Sequence, residues 1–285
     1  MRSRKRRSFF TIVILTAITL YAAAILPAYA AEENPTGEFA VAALNQYIWR
    51  GYELSRKSIV LQPTMTVAYK GFSANIWGNL DTKPYYAGTD PDKTYSSAWN
   101  ETDITLSYTK SFGMLNIGAG YIYYSLGSLN SDAADRLDSQ EIFFTVGLNT
   151  ILSPTLTVYK EIDHYHNWYF LMGVSHGFAL NRMISLNLAA TASYLLSTDE
   201  TTYPKFNSGA GPMSQKFSNF HEGALTVSLP IKPASYITLT PMVSYIFPLT
   251  GDAKNEMKGF GLEGVAPADR NSSFIVAGLT ASFSF

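Results

Sequence analysis

The chain contains no cysteine. It therefore has no disulfide framework, no thiolate metal site and no cysteine nucleophile, and we expect no lipoprotein anchor, which needs a cysteine at its cleavage site. The absence of thiols suits a chain that crosses an oxidising compartment, where stray thiols would pair wrongly. Charge is also scarce: Asp, Glu, Lys and Arg make up 15% of the residues, against about a quarter in typical soluble domains.

Long apolar runs are missing beyond residue 30, where none approaches the ~18 residues that a spanning helix needs. The N-terminus itself combines a basic stretch, an apolar stretch over 9–26 and the cleavage motif Ala28-Tyr29-Ala30. This pattern predicts a secretory signal peptide over residues 1–30 and one mature domain over 31–285. An uncleaved anchor helix is the alternative. Cleavage leaves 16 positive and 22 negative side chains, net −6, which argues against nucleic acid as a partner.

The mature chain shows a period of two. In the last segment, 272–285, every second residue is apolar, namely Ile275, Ala277, Leu279, Ala281, Phe283 and Phe285. The residues between them are Val276 and otherwise small, largely polar residues, so a strand here has one apolar face. Twelve such segments are predicted: 38–50, 58–70, 71–81, 100–110, 114–125, 138–150, 153–163, 166–178, 183–196, 218–230, 234–247 and 272–285. The fold class is all-β, a single antiparallel transmembrane barrel of about 12 strands, with a secreted β-sandwich as the alternative.

The links between segments alternate between short and long. Short links lie near 70–71, 111–113, 152–153, 179–181 and 232–233, and the long polar links include 82–99, 126–137, 197–217 and 248–271. Outer-membrane barrels have short periplasmic turns and long extracellular loops, so we expect the outer membrane of a Gram-negative bacterium with both termini periplasmic. The short link 163–166 is an exception. Aromatic residues near both strand ends, Trp49 and Tyr52 among them, predict two interfacial girdles.

The first third of the mature chain carries a family resemblance. Tyr47-Ile48-Trp49-Arg50-Gly51, followed by Gln62, Gly71-Phe72 and Trp77-Gly78-Asn79, is similar to the start of the TorF-like porin family. The terminal Phe285 resembles the aromatic residue that outer-membrane proteins present to the barrel-assembly machinery. The resemblance covers about residues 40–81 and the last strand. It implies a barrel and suggests a channel, but it supplies no substrate and no site.

Strand parity predicts which charges face the lumen. The carboxylates assigned to inward faces near the outer mouth are Glu101, Asp103, Glu141, Glu161 and Glu222, and Arg50 is the best basic candidate. Rings of acidic side chains favour cations in pores, so these residues form a hypothetical cation-preferring filter. The alternative is that they pair with loop residues such as Arg56, Lys57 or Arg136. Inward glycines such as Gly118 and Gly120 either leave room in the lumen or relieve curvature. A long loop, 197–217 or 248–271, could fold into the lumen and narrow it.

Two motifs resemble chemical sites. Residues 173–177 match G-x-S-x-G, but Ser175 and His176 are adjacent in a strand and point to opposite faces, so we predict no catalytic residues and no enzyme. Glu161, Asp163, His164 and His166 form the densest ligand-like cluster. Such residues in a short turn are more often a polar loop, and we predict neither a metal nor a cofactor.

The function that fits these observations is a passive channel for small hydrophilic solutes. Its expected partners are membrane lipid and lipopolysaccharide, the assembly machinery through Phe285, and the solutes themselves. A closed structural or surface-interaction barrel is the alternative, and a barrel lipid hydrolase ranks third. The sequence leaves the oligomeric state open.

Overall fold

A computed structural model describes residues 34–84, 97–127, 138–262 and 265–285. The predicted signal peptide, 1–30, lies outside the described residues, as do most of the predicted loops 82–99 and 126–137. In the part of the chain that is described, no helix combines the length and apolar character needed to cross a membrane.

The described residues form seventeen strands and one α-helix. The strands are β1 (Thr36–Leu44), β2 (Ile48–Trp49), β3 (Tyr52–Glu53), β4 (Val60–Tyr69), β5 (Phe72–Asp81), β6 (Ala98–Phe112), β7 (Leu115–Leu126), β8 (Ser139–Leu148), β9 (Thr155–Glu161), β10 (Asn167–Ala179), β11 (Ser185–Ser197), β12 (Pro204–Phe206), β13 (Pro212–Lys216), β14 (Ser218–Ser228), β15 (Ile231–Ala234), β16 (Ile237–Pro248) and β17 (Phe274–Ser284). Helix α1 spans Gly251–Gly259, and Pro267–Asp269 forms one turn of 3₁₀-helix.

Twelve of these strands close into one antiparallel barrel, which confirms the predicted fold class. The barrel strands are β1, β4 to β11, β14, β16 and β17, and each pairs with its neighbours in chain order. The barrel closes where β17 pairs with both β16 and β1. The pairing of β1 with β17 includes Phe39 opposite Phe283 and Leu44 opposite Gly278. The short β15 pairs with β16 beyond the end of β14.

The wall is apolar outside, as the period of two requires. On β17 the outward Ile275 and Leu279 are 60% and 47% exposed, whereas the inward Val276 and Thr280 are 4% and 1% exposed. The other barrel strands likewise present exposed Leu, Ile, Val, Phe and Tyr side chains to the outside. Such a belt suits contact with lipid acyl chains.

The two ends of the barrel differ in the length of their links. One end, here called the short-turn end, carries the start of β1, the end of β17 and the links 70–71, 113–114, 149–154, 180–184 and 229–236. The opposite, long-loop end carries the links 45–59, 82–97, 127–138, 162–166, 198–217 and 249–273. The predicted segregation is thus present, with 162–166 again the short exception.

The predicted first strand, 38–50, is too long, because β1 ends at Leu44. The Asn45 N–H still donates to the Ala277 carbonyl at 3.0 Å. The Asn45 side chain donates to the Ile275 carbonyl at 3.0 Å and accepts from the Ala277 N–H at 2.9 Å, so side-chain bonds replace part of the backbone ladder where β1 ends. The chain then turns away from the wall. Trp49 and Tyr52, predicted for the outer girdle, therefore lie inside the barrel, where Tyr52 is 4% exposed.

Candidate functional site

The residues between β1 and β4, 45–59, form a hairpin that enters the lumen at the long-loop end; we call it the inner hairpin. Strands β2 and β3 are joined by Arg50 and Gly51, with φ values of +47° and +80°. Positive φ at both central residues is what a two-residue type I′ turn requires, and glycine adopts it freely. At the base of the hairpin, the Tyr47 N–H donates to Ser55 Oγ at 2.6 Å.

Arg50 anchors the tip of the inner hairpin to the barrel wall. Its two terminal nitrogens donate to the two carboxylate oxygens of Glu141, both at 2.7 Å. The guanidinium also lies 4.9 Å and 4.2 Å from the ring centroids of Tyr159 and Tyr169. The Tyr124 hydroxyl donates to Glu141 at 2.8 Å. Arg50 is therefore held by a bidentate ion pair and by cation–π contacts from two neighbouring strands.

All six predicted lumen residues are buried at this end, between 1% and 6% exposed: Arg50, Glu101, Asp103, Glu141, Glu161 and Glu222. Their partners differ. Glu101 accepts from the Tyr47 hydroxyl at 2.8 Å, and Glu222 accepts from the Tyr169 hydroxyl at 2.7 Å. Within the described ranges, neither oxygen of Asp103 has a hydrogen-bond partner. The structure thus brings Arg50 and Glu141 into contact, and the role of the six residues as a filter stays a prediction.

Glu161 has a local structural task. Its carboxylate accepts the backbone N–H groups of residues 163–166, at 2.6–3.0 Å, and the Ser139 hydroxyl at 2.9 Å. These bonds explain why the link 162–166 is so short, because one carboxylate satisfies the donors of the whole turn. They also show what the ligand-like cluster at 161–166 does in the fold.

A second polar network in the mouth was not predicted. The Tyr52 hydroxyl donates to Glu256 at 2.5 Å, and the other oxygen of Glu256 lies 2.6 Å from His221 Nε2. The Tyr203 hydroxyl forms a further hydrogen bond with that of Tyr52. This network joins four elements: the inner hairpin, α1, the loop 198–217 and the wall strand β14. His221 and Glu256 are fully buried.

His221 faces inward because of a β-bulge. Tyr194 pairs with Phe220 and Ala192 pairs with Gly223, so His221 and Glu222 together oppose a single residue of β11. Two residues against one is the pattern of a bulge, which re-aims side chains locally. Strand parity assigns adjacent residues to opposite faces, so it could find only one of the two.

Both long loops proposed to fold in contribute side chains to the mouth. Loop 198–217 buries Tyr203, Phe206 and Phe217, and loop 249–273 buries Ala253, Glu256 and Met257 of α1. The tip of the inner hairpin abuts α1, since a Cβ added to Gly51 would lie 2.4 Å from Met257 Cε. The three loops therefore interlock inside the barrel.

Apolar side chains of the wall complete the packing. Ile122, Phe143, Leu171 and Leu195 face inward on successive or neighbouring strands and are 0–6% exposed. Gly120 makes room for one of them: its Cβ would lie 2.4 Å from Phe143 Cζ. That inward glycine therefore accommodates a neighbouring ring and does not mark open lumen. The lumen at the long-loop end is shielded from solvent.

The short-turn half of the lumen has a different lining. Its inward side chains are mostly uncharged and only half-buried, and include Thr66, Asn75, Ser107, Thr109, Ser175, Asn187, Thr191 and Thr226. Hydroxyl and amide groups that retain solvent contact make a polar vestibule below the packed mouth. Glu38 is a half-buried charged side chain in this lining.

Comparison with known proteins bears on the fold. No protein-family model and no curated protein matches the chain. Among solved structures, the NanC porin is similar with a TM-score of 0.50 at 9% identity, over 87% of this chain and 98% of NanC. OmpT of Vibrio cholerae gives 0.40 at 10% identity over 92% and 100% of the two chains. An anion-selective porin from Comamonas acidovorans gives 0.34 at 11% identity over 88% and 99%.

The chain has the fold of a porin. The likeness to NanC supports this fold, whereas the other two TM-scores are too low to do so. At 9% identity the likeness to NanC shows the fold alone. Membership of the TorF-like family stays a prediction.

Within this porin-like barrel, the G-x-S-x-G match lies in the second half of β10, where residues 173–177 pair with β11 and Gly173 also pairs with β9. Ser175 faces the lumen, whereas His176 faces out, with its ring 4.4 Å from that of Phe178 and its Nδ1 2.6 Å from the Ile151 carbonyl oxygen. The two side chains cannot meet. In the described ranges, no three His, Cys, Asp or Glu side chains are grouped so as to hold a metal ion.

Proposed function

We propose that the protein is a porin-like channel for small hydrophilic solutes, located in the outer membrane of a Gram-negative bacterium with both termini periplasmic. The observation that carries this is the closed twelve-stranded barrel with an apolar outer face and a polar, partly solvated vestibule. A lumen lined by hydroxyl and amide groups is of use to a barrel that handles water-soluble molecules.

The packed mouth adds a condition to this proposal. The inner hairpin, α1 and the loop 198–217 close the long-loop end, so passage requires the inner hairpin to leave its place. Arg50, Tyr47 and Tyr52 tie it to the wall and to α1 through side-chain bonds. Side-chain contacts of this kind can be exchanged without breaking the backbone ladder that closes the barrel.

The test is single-channel current in planar bilayers. Leu44 and Val60 are register partners, so a tight turn of about four residues can replace most of the inner hairpin without moving the strands. We expect the wild-type protein to conduct rarely or in brief steps, and the hairpin-less variant to conduct steadily. Shortening the turn 207–211 between β12 and β13, which leaves the inner hairpin intact, is the matched control and should not increase the current.

A closed structural or surface-interaction barrel is the second candidate. It is favoured by the two buried clusters in the mouth, one around Leu44, Ile48 and Met242 and the other around Tyr52, Ile122 and Phe143. In that case the long loops would be the contact surface. Silence from the hairpin-less variant, verified as folded, would overturn the channel and leave this candidate.

We infer no enzymatic activity, in agreement with the separation of Ser175 and His176. The proposed partners are outer-membrane lipid and lipopolysaccharide around the apolar belt, and the barrel-assembly machinery at Phe285. The Phe285 ring is 62% exposed and covers Gly37, whose backbone exchanges hydrogen bonds of 2.8 Å and 2.9 Å with Phe285. No nucleic acid and no cofactor enter this proposal.

A further inference from the structure

Asp103 is a buried carboxylate without a partner among the residues that the structure describes. It is 1% exposed, and neither carboxylate oxygen accepts a hydrogen bond. Its register partners on the two flanking strands are Trp77 and Tyr124, neither of which donates to it. Removing an ionised carboxylate from water without a counter-charge is strongly unfavourable. The buried group therefore needs either a proton or a cation from outside the polypeptide.

Glu101 stands beside Asp103 on the same face of β6. The two residues are two positions apart, so their side chains point the same way with Cα atoms about 7 Å apart. Glu101 accepts one hydrogen bond, from Tyr47. Two carboxylates at this spacing can reach one ion, since oxygen ligands of a calcium ion lie at about 2.3–2.6 Å.

The described residues supply too little positive charge for these groups. Among the ion pairs of the described residues, Arg50 is bound to Glu141, Arg56 to Glu53 and Lys205 to Asp252. None of these cations pairs with Glu101 or Asp103. Three neighbouring carboxylates, Glu101, Asp103 and Glu141, thus share a single guanidinium.

We propose that Asp103 and Glu101 bind a hard metal cation of the calcium class. The donors are carboxylate oxygens, which such cations prefer, and no histidine or cysteine joins them, which does not suit a transition metal. With two carboxylates and otherwise neutral ligands, the site is a weak one. Binding itself does not require conduction, whereas a role for the ion in permeation rests on the proposed channel function.

The test is calorimetric titration of the refolded mature protein with calcium chloride in detergent, free of lipopolysaccharide. We expect saturable binding with half-saturation at about 0.1–1 mM, the range of weak extracellular calcium sites. Asp103→Asn and Glu101→Gln, each nearly isosteric, should raise the half-saturating concentration at least ~10-fold, as loss of one carboxylate ligand implies. Glu200→Gln, which removes an exposed carboxylate from the loop 198–217, is the matched control and should leave it unchanged.

Equal affinity in wild type and in Asp103→Asn would overturn the site. The absence of saturable binding by the wild type up to about 10 mM, above the range of known weak sites, would do the same. The outcome is separable from that of the channel experiment. Calcium binding by a barrel that never conducts would support the calcium site and contradict the channel function. Conduction without calcium binding would support the channel function and contradict the calcium site.

Discussion

Arg50 and Glu141, 91 residues apart in the chain, meet through two hydrogen bonds of 2.7 Å inside the barrel. One residue stands at the tip of the inner hairpin and the other on the wall strand β8. Their contact converts a loop between two barrel strands into a closure of the mouth. It follows that the closure of the mouth depends on side-chain bonds that single substitutions can remove.

Arg50→Ala should destabilise the protein strongly. It leaves Glu141, which is 1% exposed, without its counter-charge, and breaking a buried pair in this way costs about 3–5 kcal/mol. Urea unfolding of the protein refolded into lipid vesicles measures the loss. Lys205→Ala removes a pair that is about one-third exposed, and should cost less than about 1 kcal/mol. Equal losses in the two variants would show that the buried pair contributes nothing special.

Gly51→Ala should loosen the mouth without removing any charge. The added Cβ would lie 2.4 Å from Met257 Cε, and the φ of +80° is unfavourable for alanine, so about 1–3 kcal/mol of strain is expected. We expect more frequent openings in bilayer recordings and a lower free energy of unfolding. Gly251→Ala is the control: nothing lies within 4 Å of its added Cβ, at the start of α1. A Gly51→Ala channel with wild-type opening frequency would contradict the role of this contact.

Acid should release the loop 198–217 from α1. Lys205 Nζ lies 2.9 Å from Asp252, and this hydrogen bond lowers the pKa of Asp252. An aspartate in the unfolded chain titrates near pH 3.9, so the pair stabilises the loop fully above that pH and is lost as pH falls through the lower folded value. Because both groups are partly exposed, the contribution is below about 1 kcal/mol.

Hydrogen exchange of the backbone around residues 205 and 252–256 measures this release. Exchange should quicken below about pH 4 in the wild type, beyond the intrinsic pH dependence of exchange. Asp252→Asn should show the faster exchange at neutral pH and no further step in acid. A step that persists in Asp252→Asn would assign the pH response to another group.

The wall of the barrel was predictable because one physical rule governs every strand. Lipid outside and polar lumen inside impose alternation, and the predicted segment 272–285 agrees with β17 to within two residues at each end. The carboxylates assigned inward by parity, such as Glu101 and Glu141, are indeed buried in the lumen. The alternation between short and long links was predictable from the same membrane geometry.

The mouth was not predictable, because it depends on contacts between residues far apart in the chain. Parity extended β1 to residue 50, although Asn45 replaces part of the ladder with side-chain bonds and the Arg50-Gly51 pair turns the chain inward. Gly51 is a turn signal, and it is the sequence feature from which this turn could have been predicted. His221 was missed because a bulge breaks parity, and nothing in the alternation marks a bulge in advance.

The hairpin-less variant should conduct cations in preference to anions. That variant loses Arg50 but keeps the wall carboxylates Glu101, Asp103, Glu141 and Glu222, so the mouth becomes acidic without compensation. Acidic rings favour cations, and we expect the reversal potential in asymmetric KCl to show a clear preference for potassium. The double substitution Glu101→Gln/Asp103→Asn should weaken this preference, whereas Glu38→Gln, in the short-turn half, should change it little. An anion preference that the double substitution leaves unaltered would show that these carboxylates do not filter ions.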